Sequence, residues 1–241
     1  PLFIGLDLGT SGARAVIIDA RHSIRATGKS AMADHGPNFR DPAIWWRAAQ
    51  TALHAALAQI DPSQVAALAV DGTSGTMLPV DANATPLAMG AMYNDPCTDE
   101  SILAAIAQTA PVTSAAHGPT SGLAKALVFQ RLNPAMVLHQ ADWIAAQFSG
   151  RLTSDENNAL KTGYDPVLGA WPDYIATLGL EPALLPTVLP PGTVIGPITT
   201  AAAAQFGLPA TTQIVAGTTD GCASFLATGA SSAGQGVSAL G

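Results

Sequence analysis

Apolar residues gather in short runs that end in turns bearing an acid, and this repeated pattern organises the chain. Leu2-Phe3-Ile4-Gly5-Leu6-Asp7 leads through Leu8 into Gly9-Thr10-Ser11-Gly12 and then Ala13-Arg14-Ala15-Val16-Ile17-Ile18-Asp19, which reads as strand, glycine-rich turn, strand. A third strand is predicted over His22 to Ala26, completing an antiparallel meander. Asp41-Pro42 opens a helix, with Asp41 as N-cap and Pro42 at the first helical position, where its missing N–H costs nothing. Trp45, Ala49, Leu53, Ala56 and Ile60 recur at helical spacing until Asp61-Pro62 stops the run. That stripe reads as core, not as a ligand platform. Val65 to Val70 is a continuous apolar segment suited to a central strand buried on both faces, and it delivers Asp71-Gly72-Thr73-Ser74-Gly75. Another strand follows over Thr76 to Val80.

Beyond Asn94-Asp95-Pro96, helices are predicted over Ser101 to Gln108, Ala124 to Leu132 and Val137 to Phe148. Arg151 to Pro172 reads as irregular and polar, Ala201 to Ala204 as a local compositional bias, and Thr211 to Ala216 as a strand ending in Gly217-Thr218-Thr219-Asp220. Strands mixed with helices place the chain in the α/β class.

Composition narrows the function. Of 241 residues 48% are hydrophobic and 11% charged, enough apolar surface for one large domain or two small ones. A formal charge of −7 argues against a nucleic-acid surface, which needs clustered Lys and Arg. Cys97 and Cys222 have no CxxC or Cys/His ligand spacing, so a reducing cytoplasm is the expected setting. No apolar run approaches the ~20 residues of a membrane helix, and no basic segment precedes an apolar one at the N-terminus.

Three apolar strands thus deliver Asp7, Asp71 and Asp220 into Gly/Thr/Ser turns. In an open α/β sheet, ligands sit outside the carboxyl ends of the strands, where such acids can converge. The N–H groups and hydroxyls of Gly9-Thr10-Ser11-Gly12 can form an anion nest for a polyphosphate, and the adjacent Asp7 stands where a hydrated Mg²⁺ would be anchored. Gly28-Lys29-Ser30 looks like the end of a P-loop, but the first glycine would fall on Ser23 and no helix pattern follows. Neither GxGxxG nor GxSxG is present, and the histidines lack HExxH spacing.

Taken in order, Ile4 to Ser11 with Asp19, Asp41-Pro42 with Trp45-Trp46, Tyr93-Asn94-Asp95, Pro191 to Gly196, and Gly217 to Gly221 resemble the N-terminal half of the FGGY carbohydrate kinases. The resemblance implies a ribonuclease H-like α/β fold of the actin/hexokinase type, a mixed β-sheet flanked by helices. It implies a sugar-binding lobe over residues 1–229 and the start of a truncated nucleotide-binding lobe over 230–241. Implied too is ATP-dependent phosphorylation of a sugar hydroxyl, with ATP and Mg²⁺ as cofactors. Asp220 matches the catalytic base, Asp7 the acid near Mg²⁺ and the sugar, and Gly9, Thr10 and Ser11 the first phosphate-binding turn.

Xylulokinases carry Met-His, and glycerol kinases Arg-Glu, where Ser74-Gly75 stand. Asp71 to Ser74, Met92 to Asp95, and Asn157 to Asp165 look more like the ribulokinase-type branch. The resemblance therefore favours a ketopentose, D-ribulose first, bound by Asp7, Asp71, Thr73, Ser74, Asn94, Asp95 and Asp220. For Asn94-Asp95-Pro96 a simple turn stays open. The other readings are xylulokinase-type specificity, a non-catalytic sugar-binding or regulatory module, and an actin- or chaperone-like ATPase. Family members run well beyond this length, so the chain is expected to be the sugar lobe alone and inactive by itself. The expected partners are the sugar and ATP, with self-association as a homodimer, and neither nucleic acid nor membrane.

Overall fold

In the computed structural model, which describes residues 1–238, the N-terminal apolar run resolves into strict alternation. In β1 (Leu2–Leu8), Leu2, Ile4, Leu6 and Leu8 are buried, while Phe3, Gly5 and Asp7 point to the opposite face. The strands β2 (Gly12–Asp19) and β3 (Ile24–Ala31) add to it antiparallel. β3 starts later than predicted and runs five residues past Ala26. Its polar sequence still alternates, with Ala26, Gly28 and Ser30 turned inward. Gly28 is needed there, because a Cβ would stand 2.0 Å from the Ala52 carbonyl oxygen of α1 (Pro42–Leu57), which lies directly on β3.

α1 begins as predicted: the Asp41 carboxylate accepts the Ala43 N–H at 2.9 Å and Pro42 occupies the first turn. Trp45, Ala49, Leu53 and Ala56 are buried, whereas Ile60 lies beyond the helix and only partly packs against the core. β4 (Val65–Gly72) follows, then β5 (Met77–Val80), α2 (Glu100–Thr109) and α3 (Gly122–Phe129). The helix predicted over Val137 to Phe148 is split. Met136–His139 form β6, paired antiparallel with β5, and α4 (Gln140–Ser149) starts only there. The stretch expected to be irregular holds β7 (Thr153–Asp155) and α5 (Glu156–Leu160), the latter capped by the Asp155 carboxylate. Then come α6 (Asp173–Thr177), β8 (Thr187–Leu189), β9 (Val194–Pro197), α7 (Thr200–Phe206), β10 (Gln213–Thr219) and α8 (Asp220–Ala227).

The main sheet has the order β3-β2-β1-β4-β10-β9, with β1, β4 and β10 mutually parallel at its centre. α1, α4 and α7 cover one face. Their aromatic side chains interlock edge to face, Trp45 on Trp143 with centroids 6.2 Å apart and Trp46 on Phe148 at 5.3 Å, each pair adding about 0.5–1.5 kcal/mol beyond area burial. The opposite face is only partly covered. Ala66, Ala67 and Ala69 of β4 are half-exposed, so the central strand is not buried on both sides as its composition suggested. A second, smaller core gathers Met77, Ile106, Leu123, Val137 and Ile175 from β5, α2, α3, β6 and α6. Residues 239–241 of the expected second-lobe segment lie outside the described residues.

Candidate active site

Parallel register is what assembles the acids. Asp7 of β1 is paired with Asp71 of β4, and Asp71 with Thr218 of β10, two residues ahead of Asp220 at the start of α8. All three carboxylates line one cleft of about 720 Å³ on the half-covered face of the sheet, with Val16 and Ile18 of β2 and Ala223, Leu226 and Ala227 of α8 as apolar parts of its walls. Arg14, the cross-strand partner of Asp7 in β2, lines the same cleft.

Crowding acids in a partly desolvated cleft raises their affinity for protons. Burial pushes the Asp71 carboxyl up to about 7, helped by the negative charges of Asp7 and Asp220. Burial also raises Asp7; there the Arg14 guanidinium works against the rise and Asp220 adds to it. The Asp220 carboxylate accepts only the N–H of its neighbour Gly221, at 2.7 Å, among the described residues, which leaves most of its lone pairs open to the cleft.

The Gly9–Ser11 turn borders a second hollow of about 320 Å³ that shares Asp7 and Arg14 with the first and has Lys29 on its wall. The Gly9 N–H is spent on the Gly12 carbonyl at 2.9 Å, so the expected nest is smaller than the sequence suggested. Among the described residues the N–H groups of Thr10 and Ser11 have no protein acceptor, and Thr10 stands at the exposed tip. No three His, Cys, Asp or Glu side chains among the described residues are grouped closely enough to hold a metal on their own. Mg²⁺ accompanying a nucleotide needs less, one or two carboxylates plus the phosphates, and Asp7 beside free N–H groups meets that requirement.

The remaining candidates occupy a different place. Thr73 is buried and ties the end of β4 to β1, its N–H reaching the Leu8 carbonyl at 3.1 Å and its hydroxyl the same oxygen at 3.4 Å. Ser74 follows, half-buried. Asn94 is exposed, and the Asp95 carboxylate is engaged by Arg40 (3.0 Å from Nε) and by the Met92 N–H at 2.8 Å. None of these four lines the cleft of the three acids. The two loops are joined to each other by Lys125, whose buried ammonium donates to the carbonyls of Gly75 and Met92 at 2.7 Å and of Tyr93 at 3.2 Å. Burial lowers that lysine to about 8 against the pull of Asp95. Sequence reasoning missed Lys125 and Arg14. Arg14 could have been found, since alternation from the Gly9–Gly12 turn places it beside Asp7; Lys125 carries no such signal.

The family model for the FGGY family of carbohydrate kinases, N-terminal domain, matches residues 2–113 and 125–227. Xylulose kinase of Escherichia coli K12 is 26% identical over 255 residues, covering 100% of this chain and 52% of that protein. Autoinducer-2 kinase of an Enterobacter species is 39% identical over 105 residues, 43% of this chain and 20% of that protein. In fold, the chain superposes on the crystal structure of xylulose kinase from Rhodospirillum rubrum with a TM-score of 0.85 at 24% identity, covering 97% of this chain and 52% of that one. The chain spans about half the length of the curated xylulose kinases it matches.

Proposed function

The chain belongs to the FGGY family of carbohydrate kinases, and from that premise we propose that it is the sugar-binding lobe of an ATP-dependent kinase acting on a ketopentose. The observation that carries this reading is the convergence of Asp7, Asp71 and Asp220 on one cleft beside the Gly9–Ser11 turn. Phosphoryl transfer asks a protein mainly for positioning and charge stabilisation. Asp220, whose carboxylate accepts only the adjacent Gly221 N–H among the described residues, accepts the proton of the sugar hydroxyl as its oxygen attacks the terminal phosphorus and the bond to the departing diphosphate breaks. Asp71, protonated in part near neutrality, can donate to one sugar oxygen or accept from another. The Thr10 and Ser11 N–H groups and the Arg14 and Lys29 side chains face the phosphate side. Mg²⁺, held beside Asp7, would neutralise phosphate charge when bound. Cys97 and Cys222, both free thiols, suit a cytoplasmic setting.

D-Ribulose is the first substrate choice, because Ser74-Gly75 stand where xylulokinases carry Met-His. D-Xylulose is the second, favoured by relatives named as xylulose kinases along the whole chain. The kcat/KM of the complete gene product on the two sugars separates them, since a wrong epimer leaves buried polar groups unpaired; equal efficiencies would remove the basis for either choice. The Asp220 assignment is tested by Asp220→Asn in the same protein. The amide keeps the shape but cannot take the proton, so kcat should fall about 10²–10⁴-fold with sugar affinity kept. Asp7→Asn should instead raise the Mg²⁺ concentration giving half-maximal rate. Wild-type kcat in Asp220→Asn overturns the mechanism.

A further inference from the structure

Asp220 has no side-chain partner among the described residues beyond its own backbone turn, so its position depends on what holds the end of β10. The ladder there is interrupted once: the pairing of β10 with β4 slips between Val215 and Thr218. Gly217, inside the slip, comes so close to β4 that a Cβ would sit 1.7 Å from the Val70 carbonyl oxygen. A bulge of this kind leaves its extra residue unpaired and re-aims the strand that follows, here Thr218 and Thr219, where pairing with β4 resumes.

A polar cluster at the start of α5 holds the re-aimed end from the side. The buried Asp155 carboxylate accepts the backbone N–H groups of Asn157 and Asn158 at 2.9 and 3.1 Å and the Asn158 side-chain amide at 2.6 Å. Held in that way, Asn158 donates to the Thr218 carbonyl at 3.3 Å, and Asn157 donates to the Thr218 hydroxyl at 2.8 Å. Asn158 is fully buried, and its own amide oxygen has no partner among the described residues. A buried amide that divides its donors between the orienting Asp155 and the Thr218 carbonyl while its acceptor goes unsatisfied is costly for stability alone. We infer that Asn157 and Asn158, oriented by Asp155, are positioning residues that brace Thr218 and thereby fix where the Asp220 carboxylate stands.

The inference rests on the proposed role of Asp220, and the brace acts through Thr218 without touching substrate. A displacement of about 1 Å at a reacting group can cost on the order of 10²-fold in rate; losing one of two braces should cost less. The test uses the complete gene product with D-ribulose and D-xylulose. Asn157 is half-buried, so Asn157→Ala should fold, lowering kcat about tenfold while the sugar KM changes less than about threefold. Thr218→Val, which removes the acceptor at equal size, should give the same loss. The double variant should be no worse than either single one, the signature of a shared interaction. Thr218→Ser, which keeps the hydroxyl, should restore kcat to within about twofold of wild type. If Asp220→Asn is inactive but Asn157→Ala and Thr218→Val turn over like wild type, or lose only thermal stability, the brace is refuted and the kinase reading stands. If Asp220→Asn itself turns over normally, the kinase mechanism falls first.

Discussion

Asp71→Asn should make the protein more stable at alkaline pH and leave it nearly unchanged at pH 4. In the folded chain burial and the charges of Asp7 and Asp220 lift the Asp71 carboxyl from 3.8 to about 7. Between these values the unfolded chain has released a proton that the folded one retains, so stability is complete below about pH 4 and is lost as pH rises toward 7. Three pK units correspond to roughly 4 kcal/mol at 1.36 kcal/mol each. Solvent at the open side of the cleft screens the group and leaves about 2 kcal/mol. For a chain of this size that is roughly 4–8 °C in melting temperature. The assay is a set of thermal melts of wild type and Asp71→Asn from pH 4 to pH 9. The difference should be near zero at pH 4, grow through pH 5 and 6, and level off above pH 7. The same variant should bind sugar more weakly by calorimetry, since a cleft kept acidic at a stability cost is a common mark of a functional site. A pH-independent difference, or a lower melting temperature for Asp71→Asn at pH 8, would refute the account of the cleft electrostatics.

Lys125→Met should remove a charged donor from the Gly75, Met92 and Tyr93 carbonyls, lowering stability by about 2–4 kcal/mol and weakening sugar affinity at least about tenfold as the two loops separate; unchanged affinity would show that the loops do not depend on the strut. Gly217→Ala drives a Cβ into the Val70 carbonyl and should cost more than about 3 kcal/mol or prevent folding. Gly5→Ala, where a Cβ meets nothing within 4 Å, should melt within about 0.5 kcal/mol of wild type, and a large loss there would mean that the open sheet face is packed in solution.

The acids of the cleft were legible because each closes an apolar run, and a run in a parallel sheet has only one end at which to place a ligand. The α1 boundary was equally plain, since Asp41-Pro42 is a local signal satisfied by local atoms. The expected helix runs back to Val137 because a short apolar stretch carries no period of its own, and only the distant β5 makes residues 137–139 part of a strand. Ala201 to Ala204 looked like compositional bias, yet they form the middle of α7, capped by Thr199 and closed by Gly207 in the left-handed region. β7 and α5 were hidden for a different reason: their polar residues face inward, to Thr218 and to each other, so burial there follows hydrogen bonding and not hydropathy. Lys125 shares that illegibility, its partners being backbone carbonyls 32 to 50 positions away.

The two hydrophobic clusters divide the labour of the lobe. Asp7 and Asp71 stand on strands anchored in the large core, and Asp220 directly follows one, whereas the 91–97 loop sits between the two cores, with Met92 in the large one and Ala91 and Cys97 packed on the smaller. A substitution among Ile102, Ile106 or Leu123 can therefore reshape the loop without disturbing the spacing of the acids. If the lobe serves the proposed kinase, a lineage built on it could change the polyol it accepts by drift in its minor core while the three acids stay fixed, and such drift would leave its trace in residues that never touch the sugar.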